Sequence, residues 1–117
     1  MQIGIDLMGS EINPRDAVLA IDEVGSLFEG HLIIYATVDC AAYLRKAFAT
    51  KSTISVITAP EQIHMDEPPV KAVISKPQSS LVYGIKDLSE GKIDAFVTLG
   101  STGSVIAAAK LYLNLLP

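Results

Sequence analysis

The sequence contains few of the residues that mark specialised classes of protein. Its one cysteine, Cys40, has no partner for an internal disulfide and is too little to build a zinc site. Only 9 Lys and Arg residues accompany 13 Asp and Glu residues, so the net charge is −4. This acidic balance argues against a general nucleic-acid binder, which needs a basic surface to displace counterions. No apolar run approaches the roughly 18 residues of a membrane span, and no basic leader followed by an apolar stretch opens the chain.

The residues that are present describe an ordinary globular domain. Of the 117 residues, 50% are hydrophobic and 19% are charged. A chain of this length and composition is expected to fold as one domain with its own core rather than to stay disordered. Without an export signal, the expected location is the cytoplasm.

Apolar positions alternate between strand-like and helix-like spacing. The pattern predicts short strands at residues 3–7, 31–38, 52–58 and 93–99. It predicts helices at residues 14–28, 40–50, 70–76, 80–90 and 104–116. Helix caps are expected at Asn13, which precedes Pro14, at Asp39, and at Ser79 or Ser80.

Strands that alternate with helices predict an α/β fold, because each crossover returns the chain to the same end of a parallel sheet. We therefore expect a three-layer αβα arrangement with a mostly parallel sheet and right-handed crossovers. No linker or repeat divides residues 1–117. The chain closes on apolar Leu115–Pro117, and two interpretations stay open: a natural terminus docked on the sheet, or the first part of a longer protein.

Ligands of open parallel sheets bind at the carboxyl ends of the strands. Four segments are predicted at that edge: Asp6–Asn13, Asp39–Cys40, Pro60–Pro69 and Gly100–Gly103. Their spacing fits neither the dinucleotide fingerprint nor the P-loop. A flavodoxin-like nucleotide-binding domain is therefore the least supported hypothesis. An aromatic content of 6% also offers few side chains on which a nucleotide base could stack.

Residues 100–103, here named the glycine bend, read Gly-Ser-Thr-Gly between a predicted strand and a predicted helix. The unpaired N–H groups of a helix start carry partial positive charge, and glycine allows an oxyanion to approach closely. Hydroxyl donors of Ser101, Thr102 and Ser104 complete a cradle suited to phosphate or an acyl oxyanion. The alternative is a tight turn in which Ser101 or Thr102 only caps the helix.

The end of the first strand carries Asp6 and Gly9. Asp6 is placed to orient a hydrogen-bond donor or to stabilise a helix N-terminus, and Gly9 permits close packing or a positive-φ turn. The alternative for this segment is an Asx-type turn with no further role.

The proline-rich loop adds a histidine, His64, and two carboxylates, Asp66 and Glu67. His64 could act as a general base near neutral pH, although no nucleophile can be paired with it. Metal binding through the three side chains is an alternative with unspecific spacing. Lys71 and Lys76 follow on a predicted helix, where they could neutralise an anion or simply face solvent.

Three ordered motifs carry a family resemblance. Residues 6–11 read Asp-Leu-Met-Gly-Ser-Glu, and Pro14 follows. Residues 65–73 read Met-Asp-Glu-Pro-Pro-Val-Lys-Ala-Val, with Lys76 and Ser79-Ser80 after them. Residues 94–104 read Asp-Ala-Phe-Val-Thr-Leu-Gly-Ser-Thr-Gly-Ser. Together they resemble the N-terminal part of the bacterial phosphate acyltransferases of phospholipid synthesis, the PlsX-type family, over nearly the whole chain.

The resemblance implies a fold similar to phosphate acetyltransferases and to isocitrate and isopropylmalate dehydrogenases. It implies an enzyme that transfers a fatty acyl group from acyl carrier protein to inorganic phosphate, as a homodimer at the membrane periphery, without metal or organic cofactor. The expected substrate- and phosphate-binding residues are Asp6, Gly9, Lys71, Lys76, Gly100, Ser101, Thr102 and Gly103. His64, Asp66 and Glu67 are expected to line the opening, and no residue is assigned a catalytic role.

The chain also departs from the family pattern. Ser101 replaces an asparagine, Ile74 and Ser75 stand where basic residues are usual, and Gln78 stands where the family has an aspartate. Fewer cations should weaken charge neutralisation at a phosphate site. Because the family is far longer than 117 residues, the chain alone is expected to be inactive. The alternative function is a divergent, non-catalytic α/β domain that binds an anion or a protein partner.

Overall fold

The computed structural model describes residues 1–8, 13–27, 29–100 and 102–113. The elements along them are, in chain order, β1 (Gln2–Asp6), α1 (Pro14–Leu27), β2 (His31–Ala36), α2 (Val38–Ala47), β3 (Ile54–Thr58), α3 (Pro69–Ser75), α4 (Ser80–Ser89), β4 (Ala95–Thr98) and α5 (Thr102–Tyr112). The predicted alternation of strands and helices is confirmed.

The four strands form one parallel sheet in the order β3-β2-β1-β4. Ile5 of β1 lies beside Ile34 of β2 on one side and beside Val97 of β4 on the other. The first two crossovers step toward β3, and the third steps past β1 to the opposite edge. The predicted α/β class and its parallel sheet are therefore confirmed.

Helices cover both faces of the sheet, which is consistent with the predicted three layers. On one face, α1 and α2 bury a core with the strands: Leu7, Ala17, Ile21, Leu32, Ile34, Ala36, Ala41, Leu44 and Phe48. On the other face, α3, α4 and α5 share a second core: Ile63, Ala72, Val73, Leu81, Val82, Ile85 and Ala108. Within the described ranges, no helix combines the length and apolar character needed to cross a membrane.

Two helix starts follow directly from the sequence. Asn13 caps α1, because its side-chain oxygen accepts the N–H of Arg15 at 2.9 Å. Ser79 caps α4 by accepting the N–H of Val82 at 3.2 Å. The helix cap predicted as either Ser79 or Ser80 is thus Ser79, and Ser80 is free for another role.

Two other starts were predicted wrongly. Helix α2 begins at Val38 rather than near Cys40, so Asp39 lies in its first turn and is not its cap. A carboxylate there still favours the helix through the macrodipole. Helix α5 begins at Thr102 rather than Ser104, so Thr102 and Gly103 of the glycine bend also form the first turn of the helix. The predicted helix ends at Phe28 and Leu116 lie outside the described residues.

The α1 side of β4 is uncovered in the described part of the chain. Val97 is 51% exposed and Leu99 is 43% exposed. A groove of about 190 Å³ runs beside them, lined by Ile5, Leu7, Ala17, Ala20, Ile21, Val24 and Leu99. We call this surface the open face.

Candidate functional site

Asp6 stands at the centre of the carboxyl edge of the sheet. Its side chain is 1% exposed, so it needs hydrogen-bond donors from the protein. Oδ1 accepts Ser80 Oγ at 2.7 Å and the Met8 N–H at 3.0 Å, and Oδ2 accepts Thr98 Oγ1 at 3.0 Å. One carboxylate therefore joins the ends of β1 and β4 to the start of α4.

Burial raises the pKa of Asp6 above its ordinary value, and the hydrogen bonds from Ser80, Met8 and Thr98 oppose that rise. The net direction is upward because desolvation is the largest of these effects. Because these hydrogen bonds lower the pKa of Asp6, the loss of any one donor should raise that pKa further.

The glycine bend begins directly against Asp6. The N–H of Gly100 donates to Thr98 Oγ1 at 3.0 Å, and the N–H of Leu99 donates to the carbonyl oxygen of Asp6 at 3.2 Å. A Cβ added at Gly100 would lie 3.2 Å from Thr98 Oγ1 and 3.3 Å from the carbonyl oxygen of Met8. The bend therefore packs onto the turn after β1, and glycine makes that close approach easy.

The start of α5 supplies the remaining groups of the bend. Thr102 and Gly103 form its first turn, and backbone N–H groups of a first turn have no intrahelical acceptor. Thr102 is exposed, whereas Ser104 is fully buried. The N–H of Gly100 is already donated to Thr98, so the candidate donors for an anion among the described residues of the bend are those of Thr102 and Gly103. Gly9 and Ser101, two further predicted contacts, lie outside the described residues.

The loop after β3 reaches the same edge of the sheet through its first residues. Glu61 pairs with Ser79 in an isolated bridge, and its carbonyl oxygen accepts the N–H of Ser80 at 3.1 Å. Ser80 also donates to Asp6. A series of hydrogen bonds therefore connects the loop to the start of α4 and the start of α4 to the end of β1. The structure thus brings together the start of this loop, the turn after β1 and the glycine bend.

The later part of that loop is organised around Glu67. Its carboxylate accepts the ammonium of Lys76 at 2.5 Å and the N–H of His64 at 2.9 Å. The hydrogen bond from Lys76 is the main reason that the pKa of Glu67 is lowered. Lys76 also donates to the carbonyl oxygen of Gln62 at 2.9 Å. These contacts give Lys76 and Glu67 a role in fastening the loop.

The other charged candidates lie on the surface. His64, Asp66 and Lys71 are exposed, and no contact joins their side chains to the glycine bend in the described structure. Among the residues that the structure describes, no three His, Cys, Asp or Glu side chains form a group able to bind a metal.

Two residues of the site were missed by sequence reasoning. Thr98 and Ser80 are the hydroxyl groups that contact Asp6, yet they lie 92 and 74 residues from it in the chain. Thr98 could have been found, because the last residue of a neighbouring parallel strand reaches the same edge. Nothing local to Ser80 indicates its partner.

Comparison with known proteins decides the family. All of residues 1–117 match the family model described as "Fatty acid synthesis protein". The chain belongs to this family. The resemblance that the three motifs predicted is therefore confirmed.

Individual relatives agree with this assignment. A phosphate acyltransferase of Chlorobaculum parvum is 35% identical over 122 residues, which cover 100% of this chain and 35% of the relative. One from Caldicellulosiruptor bescii is 34% identical over 95% of this chain and 34% of its own length. One from Levilactobacillus brevis is 32% identical over 97% of this chain and 32% of its own length. The chain thus spans about a third of the length of these family members.

Proposed function

We propose that this chain is the N-terminal α/β region of a phosphate acyltransferase of phospholipid synthesis. The reaction would transfer a fatty acyl group from acyl carrier protein to inorganic phosphate. A phosphate oxygen forms a bond to the acyl carbonyl carbon, the carbon–sulfur bond breaks, and the carrier's sulfur leaves and takes up a proton. The products are acyl phosphate and free acyl carrier protein.

The observation that carries the proposal is the contact between the glycine bend and the turn after β1. It leaves the first turn of α5 at the carboxyl edge of the sheet, where ligands of parallel sheets bind. Backbone donors of Thr102 and Gly103, with the Thr102 hydroxyl, are suited to phosphate and to the oxyanion that develops on the acyl carbon. The main contribution of these groups would be positioning and charge stabilisation.

Other features belong to the same proposal. We assign the fold to the isocitrate and isopropylmalate dehydrogenase type and the location to the cytoplasm. The active protein would be a homodimer at the membrane periphery that uses no metal or organic cofactor. His64, Asp66 and Glu67 are retained as candidates for the opening of the site, and Lys71 and Lys76 as candidates for neutralising the anion.

The open face supports the proposal that the chain is part of a longer protein. Helices α3 and α4 precede the step to β4, and α5 packs on the same face as they do. A right-handed crossover after α5 would therefore bring a further parallel strand to the free edge of β4. A further helix on the α1 side of the extended sheet would cover Val97 and Leu99. The relatives, about three times as long, have chain enough to supply both.

Because the open face is apolar, we expect the 117-residue chain to self-associate. Val97→Lys should shift the sedimentation coefficient toward the monomer, since it places a charge on that face. Val38→Lys, at an exposed position on α2, is the matched control and should leave association unchanged. A wild-type chain that sediments as a monomer across the concentration range would remove this support.

The reaction is tested in a chimera in which this chain replaces the matching third of the Chlorobaculum parvum enzyme. We expect acyl phosphate to form from acyl carrier protein and phosphate, with hydroxylamine trapping as the measurement. Thr102→Val should lower the rate at least about tenfold, because a hydrogen bond to a charged group is lost. Thr58→Val, at the end of β3, is the control. If the chimera is active and Thr102→Val leaves its rate unchanged, the Thr102 hydroxyl has no part in the mechanism. If the chimera folds but is inactive, the non-catalytic alternative is favoured.

A further inference from the structure

Within the described residues, the hydrogen-bonding contacts of the Asp6 side chain are all made inside the protein. Its two carboxylate oxygens accept from Ser80, Met8 and Thr98, which belong to α4, the turn after β1 and β4. With 1% of its surface exposed, Asp6 has no area with which to touch a substrate. Any effect of its position on a ligand therefore passes through the groups that it binds.

Thr98 transmits the position of Asp6 to the glycine bend. A threonine hydroxyl has one proton and two lone pairs. That proton is donated to Asp6 Oδ2, so a lone pair is available for the N–H of Gly100, which lies 3.0 Å from Thr98 Oγ1. The carboxylate thereby fixes the rotation of the hydroxyl, and the hydroxyl fixes the direction of the first N–H of the bend.

Ser80 transmits the same position to α4. Its Oγ donates to Asp6 Oδ1 at 2.7 Å, and its backbone N–H donates to the carbonyl oxygen of Glu61 at 3.1 Å. The start of α4 is thus fixed to the same carboxylate as the approach to α5. The start of α4 and the end of β4 cannot move independently while both hydroxyl contacts persist.

We propose that Asp6 is a positioning residue that, through Thr98, aligns the glycine bend so that the amides of Thr102 and Gly103 converge on an anion. The inference rests on the proposed function for the identity of that anion, inorganic phosphate. The sequence predicted Asp6 as a phosphate contact. In this proposal Asp6 does not touch the phosphate and acts by positioning the groups that do. It also adds Thr98 to the residues on which phosphate affinity depends.

The test compares Thr98→Val, which keeps the shape of the side chain and removes the hydroxyl, with Thr98→Ser, which keeps the hydroxyl. Both are made in the ¹⁵N-labelled 117-residue chain and titrated with inorganic phosphate. Two quantities are measured by NMR: the phosphate Kd from the Thr102 and Gly103 amides, and the hydrogen-exchange rate of the Gly100 amide. A merely structural role for Thr98 would not separate the two variants in phosphate affinity at equal fold content.

We expect Thr98→Val to weaken phosphate binding about tenfold and to speed Gly100 exchange about tenfold, because one hydrogen bond of the relay is lost. Thr98→Ser should stay within about twofold of wild type in both. Asp6→Asn should speed Gly100 exchange as well, and it replaces Thr98→Val if that variant does not fold. Equal Kd and equal Gly100 exchange in the Val and Ser variants would overturn the proposal.

The two proposals can fail separately. If the wild-type chain shows no phosphate response at Thr102 and Gly103, the phosphate site of the proposed function fails in this chain. The exchange rate of Gly100 still reports on the relay in that case. A Gly100 amide that exchanges equally in wild type, Thr98→Val and Asp6→Asn would show that Asp6 does not position the bend.

Discussion

Gly84→Ala is expected to lower the free energy of unfolding by about 2–3 kcal/mol, at the upper end of the range for overpacking. A Cβ at this position in α4 would fall well inside contact distance of three ring carbons of Phe96. The ring cannot easily move, because it packs edge-on against Tyr35 with centroids 6.0 Å apart. Tyr35 is itself fixed to α4 through the hydrogen bond of its hydroxyl to Asp87 at 2.7 Å. The gain in helix propensity, about 1 kcal/mol, is too small to compensate.

The same substitution at Gly25 gives a matched control with the opposite sign. Among the described residues, a Cβ there would meet Ile54 Cδ1 and Leu32 Cδ1, each at 3.9 Å, which is ordinary contact. Gly25→Ala in α1 should therefore stabilise the chain by about 0.5–1 kcal/mol. Urea denaturation of both variants measures the difference. Gly84→Ala and Gly25→Ala with similar stabilities would contradict the packing described for α4 against the sheet.

Asp6→Ala is expected to destabilise the chain by about 3–4 kcal/mol. The change leaves Ser80 Oγ, Thr98 Oγ1 and the Met8 N–H without their acceptor, and an unsatisfied buried donor costs about 1–3 kcal/mol. Asp66→Ala, at an exposed position, should stay within about 0.5 kcal/mol of wild type. Urea denaturation at neutral pH provides the measurement. A small effect of Asp6→Ala would mean that the carboxylate does not unite the three segments.

The pH dependence of stability gives an independent check on Asp6. Because burial raises its pKa in the folded state above the ordinary 3.8, the folded chain binds this proton more tightly than the unfolded chain. The contribution of this proton to the free energy of unfolding is fully present below pH 3.8, and it is lost as the pH rises through the raised pKa of the folded state. The lowered pKa of Glu67 acts in the opposite direction, so the comparison is with Asp6→Asn, which leaves Glu67 unchanged. The difference in free energy of unfolding between wild type and Asp6→Asn should become smaller as the pH rises from 3.8 through the raised pKa. A difference that grows with pH would contradict the burial of Asp6.

Local signals explain why much of the fold could be predicted from the sequence. Asn13 before Pro14 and Ser79 before an apolar helical pattern carry their own capping chemistry, and the structure contains both caps. The start of helix α2 was misplaced because Asp39 is a good cap residue, yet the helix begins two residues earlier than predicted, at Val38. The strand order depends on which edge of β1 receives β4, and no short-range pattern encodes that choice.

The site was harder to predict because its contacts are long-range. The sequence identified the glycine bend and Asp6 as separate segments, but Ser80 and Thr98 reach Asp6 only through the folded sheet. Lys76 was expected to neutralise an anion because of its charge. Its ammonium contacts Glu67, nine residues away, and the Gln62 carbonyl oxygen, and its contact with an anion stays a prediction. The sequence shows that Lys76 is charged, but it does not show that a carboxylate and a carbonyl oxygen of the preceding loop lie within hydrogen-bonding distance of its ammonium.

The location of a tetrahedral anion tests the central claim most directly. A crystal structure of the chain grown with arsenate, an isostere of phosphate, would locate the arsenic by its anomalous scattering. We expect the anion within hydrogen-bonding distance of the Thr102 and Gly103 amides, beside the turn after β1. Arsenic found only at surface lysines such as Lys71, with the first turn of α5 unoccupied at saturating arsenate, would contradict the site.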